Sequence, residues 1–442
     1  MTKQAVVLKG GHVVDPAQGI NGTCDVRIEE GRIVAVGTDL PIATATTVPI
    51  PAGLVVCPGF IDMHVHFREP GQEHKETIAS GVAAAVAGGF VAAACMPNTD
   101  PVNDHVGVTE EILRRAREAG LAKVYPIGAA SLGSLGERMT EIRALRAAGC
   151  VGISDDGHPI ASAHMMRRTL EYVSMFDMPI INHCEEPSLK GDGVAHEGYR
   201  AAALGLRGIP GECESIMVAR DVSLSELTGG AVHVAHISAR QSLRAVRIGK
   251  DRDVTVTCEV TPHHFILTDE DLQYDPNRFK MNPPLRAIAD RDAMLAGLAD
   301  GSIDAIATDH APHHADEKAT EFAEAPFGII GLETAVSLSL DRLVHRDIVP
   351  LSRLVELLSS NPARILRVPG GRLAAGDAAD ITILSPDTTV EVAASQFRSK
   401  ARNTPFDGWR LRGAVAATMV DGRVVYTNGA VAGVEKLPWP SA

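Results

Sequence analysis

His64 and His66, within GFIDMHVHFREPG, are the first residues whose type and spacing suggest chemistry. Side chains at i and i+2 of a strand share one face, so two imidazoles converge on a single point. His183 in INHCEE, His236 in HVAHIS and Asp309 in IATDHAP each close a further apolar, strand-like run. One such histidine alone would be an ordinary hydrogen-bonded core or loop residue. Four imidazoles and a carboxylate at successive strand ends form a nitrogen and oxygen donor set suited to zinc, with manganese, cobalt and iron fitting less well. A second ion needs a bridging anion, and VGISDDG offers Asp155 and Asp156. Their parity differs, so they point to opposite faces, and the pattern does not choose between them. The chemistry that such a centre supports is metal-assisted hydrolysis.

These residues need elements to hold them. The middle of the chain alternates apolar runs (FIDMHVHF, VAAACMP, KVYPIGAAS, VGISDDG, PIINHCEE, AVHVAHIS, VTVTCEVTPH and IDAIATDHAP) with amphipathic segments at 108–119, 164–175, 214–227, 239–248 and 290–298. Eight strand-like runs with helices between them predict a (β/α)8 barrel, whose active sites lie at the C-terminal ends of the strands. The chemistry-bearing residues fall at those ends. Residues 1–57 and 367–442 read differently, as short β-rich runs punctuated by GG, EEG and DG turns, and they flank a barrel at 58–366.

Composition narrows the function. Against 42 basic side chains stand 55 acidic ones, a net charge of −13, which excludes a basic nucleic-acid-binding protein. Residues 77–97 carry no charge, but Gly88-Gly89 interrupts them, so they read as a buried helix, its cap and a buried strand, with no membrane span. The seven cysteines are scattered and never spaced as CxxC, and the N-terminus reads as a strand, not a secretion signal. A reducing, cytoplasmic setting is expected.

The motifs HVHFREPG, MPNT, SDDG, NHCE, HISA, TPHH, NPPLR, TDHAPH, PFGIIGLE and RNTPF, in that order along nearly the whole chain, resemble those of dihydroorotases. The likeness is to the longer-chain bacterial, class I branch of that family, within the amidohydrolase superfamily. It implies a metal-dependent (β/α)8 barrel with a small composite β-sandwich domain built from both chain ends. It makes His64, His66, Asp156, His183, His236 and Asp309 the metal-site residues, with two zinc ions bridged by Asp156 and a hydroxide. Many relatives in the superfamily use a carboxylated lysine as the bridge, and aspartates stand here instead. Substrate contacts are implied for His66, Arg68, Asn98, Asn282 and His313, with the backbone at Phe327-Gly328 closing over the ring.

The activity implied is reversible cyclisation of N-carbamoyl-L-aspartate to L-dihydroorotate, a step of pyrimidine biosynthesis, with Asp309 as the proton carrier. A guanidinium for the substrate carboxylate and amides for its ureide edge suit that ring, and a local cation is needed in a chain of net charge −13. Rival readings are a hydantoinase, dihydropyrimidinase or allantoinase, and an inactive barrel partnering aspartate carbamoyltransferase. Every ligand position is filled, which argues against the inactive partner. A homodimer is the expected assembly, with a complex between an active enzyme and the transferase as a further expectation. His263 and His264 are expected on a strand, facing opposite sides in packing roles. His158, His196, His310 and His314 receive no role, and the polar stretch from Asp309 to Gly328 reads as a lid or ordered loop.

Overall fold

The computed structural model describes residues 5–43 and 45–439. Eight parallel strands form one sheet in sequence order: Phe60–Val65, Phe90–Cys95, Lys123–Ala129, Gly152–Ser154, Ile180–Asn182, Val232–Val234, Val256–Val260 and Ala305–Ile306. The barrel closes where Val65 bridges His310 and the His66 amide donates to the His310 carbonyl at 2.9 Å. All eight expected runs are strands, and the helices Val106–Ala119, Ala163–Val173, Glu212–Thr228, Arg240–Lys250 and Ile288–Asp300 occupy the expected amphipathic segments.

Local chemistry explains these boundaries. Ser162 caps the N-terminus of Ala163–Val173 by accepting from the Met165 amide, and Gly120 ends Val106–Ala119 in the left-handed region. The uncharged stretch at 77–97 is the helix Ile78–Ala87, a glycine turn and the buried strand Phe90–Cys95. Among the described residues no helix is long and apolar enough to cross a membrane.

A second eight-stranded sheet is built from both ends of the chain. Val55–Pro58 pairs in parallel with Ala5–Asp15 on one side and antiparallel with Ile381–Glu391 on the other, so N-terminal and C-terminal strands share one core. Thr382 and Thr418 tie this sheet to the barrel by donating to the Gly89 and Val86 carbonyls at 2.6 and 2.7 Å.

Two expectations need correction. His263 and His264 lie on the short helix Pro262–Ile266, not on a strand, because the strand ends at Val260 and Pro262 starts a helical turn after Thr261. Their rings therefore sit on the same side, 4.4 Å apart, with His264 fastened to Thr261 and the Pro283 carbonyl. Within the C-terminal part expected as short β-rich runs, ADITILSPD and TTVEV instead join into the single strand Ile381–Glu391, whose pairing with Arg410–Val420 shifts register between Ser385 and Thr389.

Candidate metal centre and active site

The first barrel strand sends Asp62 and His64 into the barrel interior, with His66 just beyond its end. His64 is fully buried and donates from Nδ1 to Glu259 Oε1 at 3.0 Å, which leaves Nε2 facing the centre of the mouth. Glu259 itself is held by His233 at 3.2 Å, and Asp62 accepts from the backbone amides of His64 and Thr308 at 3.1 Å. His66 is oriented similarly, Nδ1 donating to Asn98 Oδ1 at 2.8 Å. Hydrogen bonding at Nδ1 to a carboxylate or amide oxygen fixes the tautomer whose Nε2 lone pair can bind a metal.

Asp156 lies at the focus. Its oxygens are 3.5 Å from His64 Nε2 and from His66 Nε2, 3.6 Å from His236 Nε2 and 3.8 Å from His183 Nδ1. Two triads result, His64–His66–Asp156 and Asp156–His183–His236, sharing the one carboxylate. Asp309 approaches the first triad, 3.1 Å from His66 Nε2 and 3.7 Å from His64 Nε2. Asp155 turns away and accepts from the amide and hydroxyl of Ser131 at 2.9 and 2.5 Å.

The cluster has the character of a metal site by its own chemistry. Among the described residues, buried His64 Nε2 and Asp156 Oδ1 find no hydrogen-bond partner although they face each other across 3.5 Å. Buried polar atoms are ordinarily paired, so unpaired donors converging on one gap fit a divalent ion. Burial disfavours charge on Asp156 and Asp309, yet the surrounding imidazoles hold both carboxyls below the ordinary carboxylate range. Arg68, His236 and Asp309 have φ of 62°, 30° and 48°, a region that costs a residue with a side chain free energy. Such conformations concentrate at working sites.

A cavity of about 190 Å³ opens over the cluster. It is lined by His66, Arg68, Asn98, Asp156, His183, His236, Asn282, Asp309, His313, Phe327 and Gly328, so every expected site residue except the deeper His64 meets there. Clefts of about 680 and 670 Å³ lie elsewhere, but the imidazole cluster is absent from both. Arg68, expected to be a substrate contact, is buried; its guanidinium donates to the Pro312 carbonyl at 3.2 Å and lies 3.3 Å from His313 Nε2. Neither partner is anionic, so the charge remains available to a ligand. Burial, with the Arg68 charge beside it, pushes the His313 imidazole far below its ordinary range, so it is neutral and donates to the Phe327 carbonyl at 2.8 Å. Asn282 Nδ2 donates to Glu185 at 2.9 Å and lies 3.2 Å from His183 Nε2, while its Oδ1 has no partner.

Gly328 could carry no side chain. Its φ is 128°, and a Cβ there would sit 2.6 Å from the Ala311 side chain. The motif PFG thus brings bare backbone to the cavity wall. Sequence reading missed Glu259, Glu185 and Lys190. Glu259 had a signal, since a carboxylate in the otherwise apolar run TCEV must face a polar barrel interior; the other two had none.

Comparison with known proteins agrees with this geometry. Residues 53–242 match the Dihydro-orotase-like family and residues 220–426 the Amidohydrolase family. The chain is 49% identical over 421 residues to a dihydroorotase of Syntrophotalea carbinolica, covering 95% of this chain and 99% of that one. It is 50% identical over 424 residues to a dihydroorotase of Anaeromyxobacter dehalogenans, covering 96% and 98%. Among solved structures it resembles an L-hydantoinase (dihydropyrimidinase) from Arthrobacter aurescens, with a TM-score of 0.85, 25% identity and 96% of each chain covered. A dihydropyrimidinase from Brevibacillus agri shares the fold, with a TM-score of 0.82, 20% identity and 96% and 95% of the chains covered. With half of its residues identical over nearly the full length of such relatives, the chain belongs to the dihydroorotase family of metal-dependent amidohydrolases and is a cyclic-amide hydrolase.

Proposed function

We propose that the protein interconverts N-carbamoyl-L-aspartate and L-dihydroorotate, with two zinc ions per chain held by His64, His66, Asp156, His183, His236 and Asp309. The observation that carries this reading is the pair of triads sharing Asp156 beside a buried guanidinium without an anionic partner. Divalent metal bound there would polarise the ring amide carbonyl and lower the pKa of water at the site.

The protein's own groups supply the rest. Arg68 takes the ring carboxylate as a charge-assisted pair, and its burial makes that pairing stronger than it would be in water. His313 donates to the Phe327 carbonyl and packs beside the guanidinium. Asn98, with its oxygen committed to His66, has its NH2 free for a ring carbonyl, and Asn282 offers its unpartnered Oδ1 to a ring N–H. Asp309, 3.1 Å from His66, accepts the proton of the attacking water and delivers it to the ring nitrogen as the carbon–nitrogen bond breaks. One water is consumed, and the ureide nitrogen leaves as a neutral amide. In reverse, the same carboxylate receives the nitrogen's proton as the ring closes.

A hydantoinase-like ring opener would share fold and cluster. The buried Arg68 favours an anionic ring over a neutral one, because an unpaired buried cation has no use for an uncharged ligand. The test joins metal analysis to an ultraviolet assay of dihydroorotate hydrolysis before and after chelation. Bound zinc with hydrolysis that chelation abolishes and zinc restores is the expected result. Turnover of hydantoin or allantoin above that of dihydroorotate would overturn the substrate assignment and leave the metal assignment standing.

A further inference from the structure

Beside the metal cluster, the cavity wall at 322–328 has no helix or strand of its own. Irregular backbone leaves carbonyls without partners, and buried carbonyls need donors. Two lysines supply them. Lys280 is 1% exposed, and its ammonium donates to the carbonyls of Phe322 and Ala323 at 2.6 and 2.8 Å. Lys318 is 2% exposed, and its ammonium donates to the carbonyls of Pro326 and Lys280 at 2.9 and 3.1 Å. The Lys280 carbonyl in turn accepts from the Gly328 amide at 2.9 Å. Two lysines approach the Phe327 ring, with Lys280 Nζ 4.7 Å and Lys190 Nζ 5.2 Å from its centroid.

This arrangement is unusual in what it lacks. A buried ammonium ordinarily takes a carboxylate, which offsets its desolvation, yet all four of these hydrogen bonds go to backbone carbonyls. An apolar residue would fill the same space without that cost but could not gather carbonyls from a wall that lacks a ladder. The wall also borders the substrate cation. The Phe327 carbonyl accepts from His313, and His313 lies 3.3 Å from the Arg68 guanidinium.

We propose that Lys280 and Lys318 are positioning residues for substrate binding: they fix the 322–328 wall, and with it the Phe327-Gly328 backbone that closes over the ring. This rests on the reading of Phe327-Gly328 as a ring contact. Neither lysine touches the reacting atoms. Their contribution is to ground-state binding, so it reads out in KM more than in kcat.

The experiment compares Lys318→Met, Lys280→Met and Lys318→Arg with the parent enzyme in two measurements, steady-state kinetics on dihydroorotate and amide hydrogen exchange without substrate. Lys318→Met should raise KM about tenfold with kcat within about threefold, while exchange across 319–328 accelerates and exchange in the barrel strands does not. Lys318→Arg keeps a buried cationic donor and should recover part of the KM. Unchanged exchange across 319–328, or a KM within about twofold of the parent, overturns the proposal. Should Lys280→Met fail to fold, Lys318→Met decides alone. Exchange is read without ligand, so it judges the lysines even if the parent enzyme opens a different cyclic ureide.

Discussion

The floor and the wall of the cavity are built on opposite principles. The floor, Asp62, His64, His233 and Glu259, hangs from regular strands and is fully buried, with His64 bonded to Glu259 across the barrel and His233 3.2 Å from the same carboxylate. The wall, 322–328, is irregular chain held from outside by lysine Nζ groups on backbone carbonyls. A metal demands donors fixed to fractions of an ångström, which strand geometry supplies through its repeat. A ring that must enter and leave needs a boundary that is ordered yet separable from the scaffold. Floor changes should therefore act on chemistry and metal retention, and wall changes on substrate affinity.

The largest expected effect lies at the floor's rim. Asp309→Asn should lower kcat by about a thousandfold, because the amide cannot carry the proton, while metal content stays near that of the parent enzyme. Full activity in that variant would remove the proton carrier; loss of metal would make Asp309 chiefly a ligand. Arg68→Met comes next, with KM for dihydroorotate raised about a hundredfold through loss of a buried charge-assisted pair. A neutral cyclic ureide should lose no affinity in Arg68→Met, and a parallel loss would show that the guanidinium holds structure instead of substrate. Glu259→Gln tests the floor from beneath. It weakens the hold on His64 Nδ1 and should reduce zinc affinity by about ten- to a hundredfold, measured by competition with a chelator, with KM little changed.

The same division governs what could be read from the chain. His64, His66, His183, His236 and Asp309 announced themselves because strand ends recur in a barrel and each followed an apolar run. Asp156 against Asp155 was not decidable by parity, and the deciding fact is a long-range one, that Ser131 claims Asp155. His263 and His264 were misassigned because Pro262 ends a strand as readily as it starts a helix, and only the turn that follows distinguishes the two. The wall was beyond pattern altogether. Lys280 and Lys318 look like surface lysines in sequence, and nothing local reveals that each reaches carbonyls at 322–326. The positive φ at Arg68, His236 and Asp309 is equally silent, since aspartate and histidine enter that region only occasionally and arginine has no preference for it, so residue type does not mark the positions.

The smallest effect separates floor from wall by pH. Burial brings Lys318 down to about 7, with the Lys280 ammonium and Arg68 adding to the depression and Asp275 opposing it. Burial likewise brings Lys280 down to about 8, with Glu324 opposing and Lys190 reinforcing. When the wall opens, each amine returns toward its ordinary value of 10.5 and binds a proton that the closed form has shed. Between pH 7 and 10.5 the open form therefore holds more protons, and closure strengthens as pH rises. Below pH 7 both amines are protonated in either form, so that gain is absent. A neutral amine still carries two N–H donors, enough for both carbonyls, which is why shedding the proton need not release the wall. Hydrogen exchange across 319–328, corrected for the intrinsic rise of exchange with pH, should show an opening free energy that climbs from about pH 7, and Lys318→Met should flatten that climb while leaving the barrel strands unaffected. A slope that survives in Lys318→Met would assign the pH dependence to Lys280 alone, and a slope of opposite sign would mean that the ammonium form, not the amine, is what the closed wall prefers.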